Sequence, residues 1–417
     1  MPEIIFSVDQ SKSMADQAVP GHNRWHPDIP SVVSVKPGNE CRIECREWTD
    51  AQLGNNDSAN DVRDINLNLA HMLSGPIEVE GAEPGDLLVV DLLDLGPCQP
   101  PQETGDAPGQ GWGYTGIFAK ANGGGFLPDH YPDAYKAIWD LHGQAATSRH
   151  LPGVSYTGIT HPGLAGTAPS ARLLAEWNRR EQLLIDQDPN RVPALALPPE
   201  EGGALAGTMT GQEAQRVGRE GARTVPGREN GGNMDIKNFT RGSRAFYPVY
   251  VPGAKFSIGD LHFSQGDGEI SFCGAIEMGG FADLGFDLIK DGMNKYGITT
   301  APVLIPGRVE PKYSEFLTFT GVSVHETSGE NLYMDATVAY RRACLNAIEY
   351  LKKFGYSGEQ AYLLLGSAPI EGRISGIVDI PNACCSLYLP TEIFDFNVRP
   401  GKDWPQMADR GSAAKTS

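Results

Sequence analysis

The sequence predicts a mainly β protein of the α+β class, and three observations carry that expectation. Gly at 50 and Pro at 31 of 417 residues exceed ordinary usage, which favours many turns and short strands over a helical bundle. Short apolar segments alternate with period two between clusters of Gly, Pro, Asn and Asp, the pattern of half-buried strands. Helical spacing is confined to a few stretches, chiefly 171–186 and 335–354. The expected architecture is an N-terminal β-sandwich or jelly-roll-like unit over residues 1–175 and a helical, irregular insertion over 176–230. An α+β unit over 231–402 follows, centred on a small β-barrel-like hairpin region, and 403–417 read as a loose polar tail.

Composition narrows the function classes. At 40% hydrophobic and 21% charged the chain is an ordinary globular one, long enough for two or three packed units. A formal net charge of -18 argues against nonspecific binding to nucleic acid or anionic membranes, which require a basic surface. The start MPEIIFSVDQ lacks a basic segment followed by an apolar one, and no stretch offers ~18 consecutive apolar residues, so a cytoplasmic location is expected. Seven cysteines form an odd set without zinc-finger spacing and read as reduced thiols. Cys41 and Cys45 in CRIEC fall on one strand face as small buried side chains.

Taken in order, residues 22–30 (HNRWHPDIP) form a Pro-bounded irregular arm, where the four-residue spacing of His22 and His26 carries no metal-site meaning off a helix. Residues 31–47 alternate as strands around the turn at 36–39, and 52–63 are a polar loop. Asp57, Asp61 and Asp64 lack the distal Glu of a calcium loop and read as solvated. Residues 75–95 are two strands about a turn at 81–85. From there to 170 the chain reads as irregular, with flexible Gly-rich loops at 109–116 and 123–125 and with His130, His142, His150 and His161. His161 precedes Pro162-Gly163 in an apolar run, which suits the wall of a small pocket and an ordinary turn equally.

Leu173, Leu174, Trp177, Leu183 and Leu184 mark the helix over 171–186, and 191–224 reads as an insertion or a contact arm between subunits rather than a domain. Residues 281–289 and 302–306 are ambiguous, and 315–325 alternate as a strand. The helix over 335–354 stops at Gly355, Ser357 caps a short second helix, and 374–380 and 386–389 return to strand.

The chemistry concentrates in residues 229–278. A strand from Ala254, turn residues 265–268 and a second strand opening at Glu269 read as a β-hairpin that pairs His262 with Cys273 or with Ser271. Either register puts Asp260, His262 and Ser264 on one face with Glu269, Ser271, Cys273 and Glu277. Such a face is costly unless it meets water, pairs internally or binds a cation. A solvated hairpin rim is the plain alternative, which the apolar Ala254, Phe256 and Ile258 oppose. Asp260 and His262 supply two ligands of suitable type, and Asp235, after the turn-like Gly231-Gly232-Asn233-Met234, or Glu269 completes a site.

Three long segments carry a family likeness. GGNMD (231–235), PVYVPGAKFSIGDLHFSQGDGE (248–269) and GPIEVEGAEPGDLLVV (75–90) resemble the acetamidase/formamidase family. HNRWHPDIP (22–30) and GVSYTGITHPGLAGTAPS (153–170) look like its formamidase branch, and the likeness runs from about residue 22 to about 390. It implies hydrolysis of formamide, and less well of other short aliphatic amides, to the carboxylate and ammonia. In one mechanism Asp260, His262 and Asp235 hold a divalent ion, zinc first, with Glu269 as the base, Asp267 as a second candidate and His161 in the pocket. In the other, Asp260 orients His262 to activate water, Ser264 or Cys273 without a metal. No organic cofactor is expected, and the long arms suggest a homo-oligomer. The rivals are a noncatalytic β-sandwich binding module and an acetamidase or lactamase-type amide hydrolase of the same family.

Overall fold

Alternation places the early strands where the sequence predicts them. The computed structural model describes residues 2–98, 110–189, 200–308 and 312–417, so 191–199 of the expected arm and Gly109 of the expected loop lie outside the described residues. Val33–Val35 and Glu40–Cys45 flank the turn at 36–39, and Leu73–Val79 and Leu87–Pro97 flank a turn in which Gly81 and Gly85 take φ of 78° and 99°. Those positive angles are why glycine stands there. Cys41, Ile43 and Cys45 are buried on one face, and all seven cysteines are free.

Among the described residues the strands form sheets of six, twelve and three members, with strand predominating over helix. Gly280–Ile289, ambiguous in sequence, lies between Glu40–Cys45 and Leu87–Pro97 in the six-stranded sheet. Asp283 interrupts its apolar pattern, yet Arg42 meets that carboxylate through two hydrogen bonds of 2.7 and 2.8 Å. The main core draws Phe6, Val90, Phe256, Leu284, Ile348 and Leu364 from across the chain.

The large sheet carries the site. We label five of its strands β1 (Gln110–Ile117), β2 (His161–Gly166), β3 (Gly231–Asn233), β4 (Phe256–His262) and β5 (Glu277–Met278), which lie in the order β3-β2-β4-β5-β1. β1 corrects the expectation of a flexible loop at 109–116. Gly113 is there for close approach, since a Cβ would lie 2.6 Å from Ile276 Cγ2 and 2.7 Å from the Glu277 carbonyl oxygen. The tight hairpin is also overturned: residues 263–276 loop out, and the strand that returns beside β4 is the two-residue β5, matching His262 with Glu277 rather than with Cys273 or Ser271. Among the described residues no barrel forms, and these strands belong to an open sheet. The reason is local backbone, because Glu269, Phe272 and Cys273 take φ of 45°, 58° and 48°, outside the strand region.

Helices sit close to their expected bounds. α1 (Ala171–Gln187) starts at the Ser170 cap and buries Leu174 and Trp177, while Leu183 and Leu184 remain 46% and 58% exposed. α2 (Ala336–Leu351) is capped by Asp335, and α3 (Gly358–Ser367) opens with a capping box of Ser357 and Gln360. The arms at 22–30 and 200–224 pack on each other within one chain, through Trp25 N–H to the Ala222 carbonyl (3.0 Å) and Asn23 N–H to the Leu205 carbonyl (3.0 Å). The loose tail is corrected as well: Ala414–Lys415 adds to Tyr135–His142 as a short strand, with Ala413 and Ala414 buried. Asp61, read as solvated, instead accepts from the Lys136 ammonium at 2.9 and 2.7 Å. No helix among the described residues is long and apolar enough to cross a membrane.

Candidate active site

Register assembles the site. His161 of β2 pairs with His262 of β4, His262 with Glu277 of β5, and Glu277 with Tyr114 of β1. Directly opposed residues of antiparallel strands project to the same face with Cβ atoms ~4.5–5.5 Å apart. These four side chains therefore form one row across the sheet. Within it His262 Nε2 lies 3.2 Å from Glu277 Oε2 and 3.4 Å from Asp260 Oδ1, and all three side chains are buried.

The pairs Pro162–Leu261 and Leu164–Gly259 bracket Gly163 and Asp260. A Cβ on Gly163 would come within 2.5 Å of His262 Cε1, 2.7 Å of Asp260 Oδ2 and 2.8 Å of His262 Nε2. Only glycine keeps the space beside the imidazole open. Loops bring two more acids, the half-buried Asp235 and Glu269, to the same imidazole. Asp235, Asp260 and Glu269 take φ of 49°, 54° and 45°. Such backbone costs a non-glycine residue on the order of 1–3 kcal/mol and gathers at functional sites. Asp260, His262 and Glu277 offer ligand atoms within 4.8 Å of one another, and so do Asp235, His262 and Glu269.

Hydrogen bonds assign the protons on the two imidazoles. His161 Nδ1 donates to the Ile159 carbonyl at 2.7 Å, while its Nε2 lies 3.0 Å from Gln265 Oε1. Burial, with His262 close by, pushes its pKa down to about 3, so the ring is neutral. His262 Nδ1 then carries the hydrogen, donating to Gln265 Oε1 at 2.9 Å with His161 Nε2 at 3.3 Å. Gln265 is itself oriented by donating from Nε2 to the Asp235 carbonyl at 2.8 Å. His262 Nε2 is thereby aimed at Asp260 and Glu277.

Burial disfavours charge on every group here, and neighbours decide each outcome. Burial alone would lower His262, but Glu277 and Asp260 carry it well above the usual imidazole range. Burial would raise Asp260, yet His262 and His71 outweigh it and hold the carboxyl below its usual range. Burial drives Glu277 well up. Asp235 rises through burial and the nearby Glu269 and Asp260, and Glu269 rises through burial, with His262 opposing. Asp235 Oδ1, Asp260 Oδ1, His262 Nε2 and Glu277 Oε2 are buried without a hydrogen-bond partner. Desolvated acceptors converging on one imidazole nitrogen, beside a space that a methyl would fill, fit a divalent cation.

Asp235, Asp260, His262 and Glu269, singled out in the sequence, thus come together, and His161 stands behind them. Asp267 faces away: it accepts from Lys237 Nζ at 2.7 Å and from the Gly372 N–H at 2.9 Å. Ser264 is buried beside the row. Cys273 lies in an apolar cluster with Tyr114, Val62 and Phe118, where burial pushes its thiol far up and keeps it protonated. His22 meets Ser257 Oγ at 2.8 Å, and His26 meets Glu220 Oε2 at 3.3 Å, so neither joins the cluster. Sequence reasoning missed Gln265, Tyr114 and His71, whose Nε2 lies 3.8 Å from Asp260 Oδ2 under the Trp48 ring. It put Glu277 on the right face without giving it a role. Its place as the first residue of the returning strand was the signal available.

Comparison with known proteins follows the same line. The profile of the Acetamidase/Formamidase family matches residues 7–396. The chain is 72% identical to an acetamidase of Mycolicibacterium smegmatis over 372 residues, covering 89% of this chain and 91% of that protein. It is 58% identical to a formamidase of Methylophilus methylotrophus over 403 residues, covering 97% and 96%. The structure of a gamma lactamase from Delftia acidovorans superposes with a TM-score of 0.94 at 54% identity, covering 100% of both chains.

Proposed function

Since the chain belongs to the acetamidase/formamidase family, we propose that it hydrolyses short aliphatic amides, formamide among them, to the carboxylate and ammonia. One observation carries the reading: buried acids and an imidazole with unsatisfied atoms converge beside the half-buried Asp235 and Glu269. Asp260, His262 and Glu277 would hold one divalent cation, zinc first because imidazole and carboxylate both suit it, with Asp235 adjacent. When bound, the cation supplies a Lewis acid for the amide oxygen and lowers the pKa of water.

The protein's own groups move the protons. Glu269, raised by burial, takes a proton from the attacking water and delivers it to the amide nitrogen. The water oxygen joins the acyl carbon, the C–N bond breaks, and nitrogen leaves as ammonia. Asp235, beside Glu269, shares the proton load of the pair. Gln265 and His161 act as positioning residues that hold His262 in one tautomer. Asp267, tied to Lys237 and Gly372, positions the loop that carries Glu269.

A cytoplasmic homo-oligomer completes the proposal. The arms that suggested it pack within the chain, and its support is now apolar: Ile374, Val378 and Ile380 are 62%, 78% and 70% exposed close together in sequence. Light scattering at micromolar concentration tests it, and a monomeric mass would remove it. The catalytic reading is tested by ammonia release from formamide and acetamide together with plasma-emission metal analysis. Release that scales with bound metal is expected, and metal-loaded protein that releases none from either amide overturns the proposal.

A further inference from the structure

A cavity of about 200 Å³ adjoins the catalytic row on its Tyr114 side, bounded in part by Glu47, Leu53, Trp112, Tyr114, Glu277 and Met278. Glu277 and Tyr114 are neighbours in the row, so the cavity shares a wall with the candidate centre. Its other carboxylate is already satisfied. Glu47 accepts from the Tyr114 hydroxyl, from Thr49 Oγ1 at 2.5 Å, from the Thr49 N–H at 3.1 Å and from the Ala51 N–H at 2.9 Å. A carboxylate with four donors asks nothing of a ligand. Glu277, whose buried Oε2 faces His262 at 3.2 Å, is the side chain that this cavity shares with the candidate centre. Leu53, Trp112 and Met278 supply apolar wall.

Size then decides what the cavity suits. An apolar cavity of ~150 Å³ is large enough to hold benzene, so a space of about 200 Å³ far exceeds what the single hydrogen of a formyl group requires.

We propose, resting on the amide-hydrolase reading above, that this cavity is the acyl subsite. The amide group lies at Glu277 and His262, and an aliphatic chain of a few carbons lodges against Leu53, Trp112 and Met278. Leu53 and Trp112 are then the residues that set chain-length preference, and the enzyme is not restricted to formamide.

The experiment compares kcat/KM for formamide, acetamide, propionamide and butyramide in the wild type, Leu53→Phe and Trp112→Ala. Wild-type values are expected to hold or rise from formamide to propionamide. One methylene in an apolar pocket is worth about 10–200-fold, so Leu53→Phe should cut the propionamide-to-formamide ratio about 10-fold or more. Trp112→Ala should shift preference toward butyramide, and it decides the matter alone if the Phe variant does not fold. Ratios unchanged within about 2-fold in the folded variants, with ammonia still released, overturn the subsite and leave the amide reading standing. Should the wild type release no ammonia, titration calorimetry with propionamide still decides. Binding weakened by Leu53→Phe supports the subsite, and binding indifferent to both variants overturns it.

Discussion

Two buried clusters in this protein face the same electrostatic problem and solve it differently. Around Lys136 the ammonium, with no exposed surface, donates to the Gly54 carbonyl at 3.0 Å, to Asn56 Oδ1 at 3.2 Å and to both Asp61 oxygens. The cation comes from the chain itself. Around His262 four carboxylates meet one imidazole that faces them, and three carboxylate oxygens and His262 Nε2 lack hydrogen-bond partners. A buried charge is tolerable when it is paired and hydrogen-bonded. The first cluster meets that condition with its own ammonium; in the second one imidazole faces several acids, and under the proposed reading a divalent cation meets the rest of the demand.

The largest expected effect tests the open cluster. His262→Ala should lower kcat by about 10²–10⁴-fold with loss of bound metal, and Glu269→Gln should lower it comparably with metal retained. Assays of ammonia release and metal content on the same preparations check both, and wild-type turnover in either variant breaks the contrast. Next comes the closed cluster. Lys136→Met strands Asp61 and should cost about 3–5 kcal/mol of stability, read from the denaturation midpoint, with kcat unchanged for the folded fraction. A fall in kcat would mean that the two clusters are coupled.

Gly163→Ala sharpens the comparison at the empty space beside His262. Its Cβ collides with the imidazole, and because ~1 Å of misplacement can cost about 10²-fold, a loss of that order in kcat with reduced metal content is expected. Full metal occupancy in that variant would show the space to be unnecessary. The smallest effect belongs to Asp267→Asn, which keeps the acceptor for Gly372 N–H and weakens the pair with Lys237. A fall in kcat below about 10-fold marks a positioning residue, since general acid–base groups contribute about 10²–10⁴-fold. A loss as large as that of Glu269→Gln would return Asp267 to the catalytic set.

Much of the scaffold was legible because its signals are local. Period-two alternation located Leu73–Val79 and Leu87–Pro97, and caps located Ala336–Leu351 and Gly358–Ser367. Asp260 and His262 stood out as a pair two residues apart in a strand. β1 was misread because glycine signals flexibility in isolation, whereas Gly113 serves a close approach to β5 that only the folded sheet creates. Asp61 was misread because its partner, Lys136, lies 75 residues away.

By itself, then, the sequence determined the β-rich class, the bounds of the main helices and of several strands, and the family likeness, and it singled out Asp235, Asp260, His262 and Glu269, which the fold brings together. Tertiary structure alone decided how they meet. The row from His161 through His262 and Glu277 to Tyr114 depends on registers among four strands, which no local period encodes. Asp235 and Glu269 are delivered by loops in left-handed backbone, where side-chain direction no longer follows alternation. Periodicity is a property of neighbouring residues along the chain, whereas a site is a property of neighbours in space.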